Sequence, residues 1–153
     1  MPPTCKGTSI PVLAAVVALV ICGCSGNGVG KVTGSVTLDG KPVADAEVAF
    51  SPKDDPKLAG SSAKTRADGS FELPPDPRSG RMLEAGNYLV LITKFVQKNG
   101  SVPSAEDAGM LLAAGALKNS LPAEYGEAQK SPFKIEIKRG ANALPPFELK
   151  SRR

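Results

Sequence analysis

Residues 30–52, GKVTGSVTLDGKPVADAEVAFSP, constrain this chain more than any other stretch. From Lys31 onward the apolar positions recur every second residue. Val32, Gly34, Val36 and Leu38 fall on one face, and Thr33, Ser35 and Thr37 on the other. That period, rich in β-branched residues, belongs to a half-buried strand. Asp39 and Gly40 follow directly and suit a tight connection needing positive φ. Pro42 has no N–H to give a ladder, so the next strand is expected from about Ala46, with Val48 and Phe50 inward.

The rest of the chain repeats this grammar. Residues 52–62 read as a proline-containing loop, and residues 63–67 as a short edge strand guarded by Lys64 and Arg66. Asp68 and Gly69 make a second turn before a strand that points Phe71 and Leu73 inward. After a loop over 74–86, residues 87–96 form the most apolar strand. Tyr88, Val90 and Ile92 lie on one face and Leu89, Leu91 and Thr93 on the other, so both faces are covered. Residues 104–119 break the pattern. Ser104 with Asp107 resembles a helix cap, and Met110, Leu111, Ala114 and Leu117 recur at helical spacing, which predicts one helix near 104–118, packed across the end or face of the sheets, the alternative being a binding surface. A turn over 121–126 leads to Phe133, Ile135 and Ile137. Residues 139–143 read as a turn, and Phe147 and Leu149 close the fold on a strand that Pro145 and Pro146 place at an edge. A chain of 153 residues with 16 Gly, 14 Pro and no Trp fits one core of many short strands. The expected architecture is all-β, a single seven-stranded antiparallel β-sandwich over residues 31–150 with one short inserted helix.

The N-terminus carries a different signal. Lys6 precedes an apolar run over residues 10–21. As a helix it would span only about 18 Å, short of a hydrocarbon core of about 30 Å, so it reads as the apolar part of an export signal rather than a membrane span. Ile21, Cys22, Gly23 and Cys24 resemble the bacterial lipobox, in which the last Cys takes a diacylglyceryl group on its sulfur and becomes the new N-terminus. Cys24 is thus the expected lipidation site. Cys22 in the second position is less usual than Ala or Ser and stands as an alternative, as does an ordinary cleaved signal. Residues 1–23 would be the signal, residues 24–30 a flexible tether and residues 151–153 a basic tail. Ser25, where an inner-membrane retention signal would place Asp, points to the outer membrane, with the protein facing the periplasm or the surface. The partners expected are membrane lipid through Cys24 and an envelope protein. With Cys5 and Cys22 removed and Cys24 acylated, no disulfide forms within a chain.

Composition narrows function mainly by exclusion. A formal charge of +4, from 19 basic and 15 acidic residues that are interspersed, leaves no nucleic-acid footprint. There is no His. No Gly-x-Ser-x-Gly elbow or phosphate-cradling glycine loop is present. Asp54 and Asp55, taken with Asp39 or Asp68, lack the spacing of a calcium loop. Neither catalytic residues nor a cofactor nor a metal site is expected. Sugar binding would fall to Tyr88 or Tyr125.

Several segments together resemble the carboxypeptidase regulatory-like, or transthyretin-like, domains of small bacterial lipoproteins. They are VTGSVTLDGKPVADAEVAFSP, TRADGSFEL at 65–73, AGNYLVLITK at 85–94, and LPAEYG with SPFKIEIKRGAN at 121–142. Asp45 stands where those domains usually carry Gly, and Pro145 with Pro146 interrupts their continuous last strand. The resemblance implies a seven-stranded sandwich and a non-catalytic module. The expectation is a lipid-anchored envelope module that interacts with another protein or has a structural role, the alternative being a small-ligand or glycan receptor.

Overall fold

The structure is a computed structural model and describes residues 29–77 and 79–151. The opening strand, β1 (Val29–Leu38), begins two residues before the expected start at Lys31 and is the axis of the first sheet. Asp39 and Gly40 have φ of 50° and 80°, so the turn reverses the chain as its residues foretold. Directly after the turn, the two-residue β2 (Lys41–Pro42) pairs back onto β1 through Leu38↔Lys41 and Thr37↔Pro42. The chain then crosses to the second sheet, where β3 (Glu47–Pro52) buries Val48 and Phe50.

Thr65, expected on a polar edge, is instead the buried fastener of this crossover. Its hydroxyl donates to the Val43 carbonyl at 2.6 Å and accepts from the Ala46 N–H at 2.9 Å. Its backbone bonds both sides of the same turn, accepting from Asp45 N–H and donating to Ala46 O. Asp45 takes a φ of 55°, so Asp occupies a left-handed position that glycine would take at no steric cost.

The remaining strands fill two sheets. β4 (Ser61–Lys64), earlier than the expected 63–67, is an edge strand, and with β6 (Gly86–Thr93) and β9 (Lys134–Ile137) the second sheet runs β4–β3–β6–β9 with every pair antiparallel. Of its two inner strands, β6 buries Tyr88, Val90 and Ile92 completely while Leu89 and Leu91 are half-covered, matching the reading of two apolar faces. The Ser131 hydroxyl donates to Val90 O at 2.6 Å, tying the approach to β9 (Lys134–Ile137) onto β6. In the first sheet β5 (Ser70–Glu72) pairs with β1 through Gly34↔Phe71.

Two corrections follow. The sandwich is not purely antiparallel, and it is not seven-stranded: the described residues hold eleven strands and two helices. Residues 139–143, read as a turn, contain β10 (Gly140–Ala143), which runs parallel to β1, as does the closing β11 (Phe147–Leu149). Pro145 and Pro146 lack the N–H groups a continuous ladder needs, so the segment pairs in two pieces along one edge of β1. Alternation cannot reveal this, because it is the same for either strand direction.

Between the sheets lies one apolar core whose aromatic rings form a line. Tyr88 contacts Phe50, Phe50 contacts Phe71, Phe71 stacks on Phe147, Phe147 meets Phe133 and Phe133 stacks on Tyr125, with centroid separations of 5.0–6.5 Å. The line crosses from one sheet to the other. The molecule is therefore a mostly-β, sandwich-like domain.

Candidate functional site

Residues 94–120 leave the second sheet as one excursion. β7 (Phe95–Gln97) and β8 (Leu117–Asn119) form a separate two-stranded ribbon, with α1 (Ala105–Ala113) between them. The neck is closed by Asn119, whose Oδ1 accepts from Lys94 N–H and Leu121 N–H, each at 3.1 Å. Ser120 N–H donates to Lys94 O at 2.8 Å. Behind the neck, α2 (Ala123–Gly126) packs on β6. A Cβ on Gly126 would come 2.7 Å from Thr93 Cγ2, so glycine allows the close approach. Tyr125, on α2, is buried, and its hydroxyl accepts from Lys150 N–H at 3.0 Å.

The helix begins where the sequence indicated: Ser104 Oγ accepts from Asp107 N–H at 3.2 Å and donates to the Asp107 carboxylate at 2.6 Å. It ends earlier than the apolar spacing suggested. Gly115 takes φ of 66°, with Gly115 N–H bonded to Leu112 O and Ala116 N–H to Leu111 O, the paired closing bonds of a glycine-terminated helix. Leu117, counted as helical, starts β8 instead. The helix lies against the sheet only loosely, with Ala108 and Leu111 half-covered and no residue of α1 fully buried. Met110 is 71% exposed and Leu112 52%.

Between α1 and the sheet runs a groove of about 200 Å³. Phe95, Val102, Pro103, Leu112 and Leu117 give it apolar walls, and Asp45, Glu47 and Lys64 stand at its rim. Residues far apart in the chain converge here only because the excursion folds back toward the β3–β4 edge. The one local hint was Val102, an apolar residue in a polar loop. Chemically the groove offers apolar contact and a charged border, without a nucleophile beside a base.

The residues singled out in the sequence are scattered. Cys24 lies outside the described residues, as do Arg152 and Arg153 of the tail. Tyr88 and Tyr125 are buried and present no ring to a sugar. Tyr88 Oη donates to Glu84 O at 3.0 Å, and burial, with Glu84 and Asp55 nearby, raises its pKa above 10.0. The four aspartates each serve their own neighbourhood. Asp54 accepts from the Asn87 amide, Asp55 from Lys57 N–H, Asp39 from Ser151 N–H, and Asp68 from the N–H and hydroxyl of Ser70. Those Ser70 bonds, hydroxyl first, pull the Asp68 pKa below 3.8. Glu72 is lowered below 4.5 by Lys31, whose Nζ lies 2.9 Å away, and by Arg66. Among the described residues, no group of three His, Cys, Asp or Glu side chains is placed to hold a metal ion, and no helix is long and apolar enough to cross a membrane.

No family model matches the chain, and no curated protein matches it. Among solved structures, the chain is similar to a DUF3823 family protein from Parabacteroides merdae ATCC 43184, at 14% identity and a TM-score of 0.37, covering 78% of this chain and 44% of that one. It is also similar to a 9R-lipoxygenase from Cyanothece PCC8801, at 10% identity and a TM-score of 0.38, covering 97% of this chain and 18% of that one. The chain thus spans less than half the length of either. At these TM-scores the architecture rests on the two sheets themselves.

Proposed function

We propose that this protein is a non-catalytic envelope module, exported, acylated on Cys24 and held at a membrane, where it engages another protein through α1. The anchoring half of this reading is supported by the apolar run over 10–21 and by Ile21, Cys22, Gly23 and Cys24. Ser25 favours the outer membrane. The module's kinship with carboxypeptidase regulatory-like domains is supported by the quoted segments and by the left-handed backbone at Asp45, where those domains carry Gly. The observation that carries the interaction half is the exposure of large apolar side chains on α1 and at the mouth of its groove. Met110 stands exposed on the outer side of a helix none of whose residues is fully buried, Leu112 stands exposed at the groove, and both belong to an excursion whose neck is firmly bonded. Solvating large apolar side chains on a built element gains nothing for this chain alone, whereas a partner that covers them recovers apolar contact.

Two measurements test the halves separately. Mass spectrometry of the membrane-extracted protein should show an acylated N-terminus at Cys24, lost in Cys24→Ala; an unmodified N-terminus elsewhere refutes anchoring. A photo-crosslinking residue at position 112 should yield one discrete adduct in intact cells, with none from the exposed position 57. Met110→Asp in the same chain should abolish that adduct. Equal or absent labelling at 57 and 112 removes the interaction surface.

A further inference from the structure

The two ends of the sandwich differ in chemistry, and the chain direction says which end faces the anchor. Val29 pairs with Gly140 at one pole, and the same pole holds Gly86, which pairs with Ile137. β6 runs from Gly86 to Thr93, which lines the α1 groove. At about 3.4 Å per residue, α1 therefore sits on the order of 24 Å from the Val29 pole. At that pole is an open cleft of about 440 Å³ lined by Val29, Arg81, Met82, Leu83, Glu84, Ala85 and Arg139. Val29 and Leu83 are buried and form an apolar floor, while Arg81 and Arg139 are exposed. Arg81 makes a 3.6 Å contact with the exposed carboxylate of Glu84, and Arg139 has no ion-pair partner among the described residues. Lys138 beside it contacts Glu136 at 3.8 Å.

We infer that this cleft is the membrane-facing foot of the domain and takes the phosphodiester of an anionic glycerophospholipid between Arg81 and Arg139. The inference rests on acylation at Cys24. Cys24 precedes Val29 by five residues, and five extended residues reach at most about 18 Å, so an acylated Cys24 holds the cleft within that distance of the headgroups. Guanidinium groups suit this ligand because their fixed fork matches two phosphate oxygens, and an apolar floor beside them suits the glycerol and upper acyl chain. Docking by the foot turns α1 away from the membrane and presents Met110 and Leu112 to a partner.

The test uses the full acylated chain, purified from membranes and reconstituted in vesicles of phosphatidylcholine, with or without phosphatidylglycerol. Flotation with the vesicles reports anchoring, and hydrogen exchange reports orientation. Phosphatidylglycerol should slow exchange at residues 81–85 and 138–140, by about fivefold for each arginine engaged, and leave residues 105–113 unchanged. The Arg81→Gln/Arg139→Gln chain should float equally and lose that protection, as should the parent chain in high salt. Because both side chains are exposed, the double variant should keep the parent unfolding midpoint, which separates lost docking from lost folding. Inorganic phosphate added to phosphatidylcholine vesicles should not reproduce the protection; if it does, the cleft binds free anion and the membrane-facing assignment fails. Flotation with identical foot exchange in both lipids refutes the foot alone. Failure to float, with Cys24→Ser behaving like the parent, refutes the anchoring and the foot together.

Discussion

Gly34 lies directly opposite Phe71 in the β1–β5 ladder, and the Phe71 ring covers its backbone so closely that a Cβ on Gly34 would fall 2.7 Å from Phe71 Cζ. The glycine is a seat for an aromatic ring rather than a weak point in a strand. Phe71 cannot move aside freely, because it is stacked on Phe147 and touches Phe50. Gly34→Ala should destabilise the domain by about 1–3 kcal/mol, the usual cost of overpacking a filled core. Chemical denaturation checks this. Adding Phe71→Leu should make the two changes clearly non-additive, since the shorter side chain vacates the clash.

Thr65 joins the two sides of the sheet-to-sheet crossover with one hydroxyl. Thr65→Val keeps the volume but removes both the donor to Val43 O and the acceptor for Ala46 N–H. With those backbone groups left unpaired in the interior, the loss should be about 2–3 kcal/mol. Thr65→Ser retains the hydroxyl and should cost roughly 1 kcal/mol, for one buried methyl. Equal losses for the two variants would show that the bonds contribute nothing.

At Asp45 the φ of 55° sets two substitutions apart. Asp45→Gly relieves the left-handed strain but gains freedom in the unfolded chain, so stability should stay within about 0.5 kcal/mol of the parent. Asp45→Val places a β-branched residue in that region and should cost about 1–2 kcal/mol. Thermal unfolding of both chains resolves the difference, and the side chain's exposure keeps packing out of the comparison.

Tyr88 makes the alkaline limb of stability specific. Its folded pKa lies above 10.0, chiefly because burial penalises the phenolate, so the unfolded chain releases the proton first. The stabilisation is complete below pH 10.0, declines as pH rises beyond it and is lost as pH passes through the folded value. Tyr88→Phe should give a flatter profile above pH 10 in urea unfolding. A parallel profile would exclude this titration as the cause.

Much of the fold was legible locally. The Asp39–Gly40 turn takes positive φ, Val48 and Phe50 face inward, Tyr88, Val90 and Ile92 are buried, and Ser104 caps α1. The helix end was legible too, in Gly115, but the apolar spacing through Leu117 masked it. The candidate site was hardly legible. Phe95, Val102, Leu112 and Leu117 share a groove through a folded-back excursion, and Arg81 and Arg139 share a cleft because residues 81–85 and the turn after β9 meet at Val29.

The sequence by itself determined which residues turn, which alternate and which faces are apolar, because those properties depend on neighbours within a few positions. Tertiary structure alone decided that β10 and β11 run parallel to β1, that Gly34 seats Phe71, that Thr65 is a buried fastener and that no residue of α1 is fully buried. Alternation says which side of a strand is buried and nothing about which strand lies beside it or in what direction. Those choices are made by contacts between residues distant in the chain, whose closure is favourable only when the whole core forms at once.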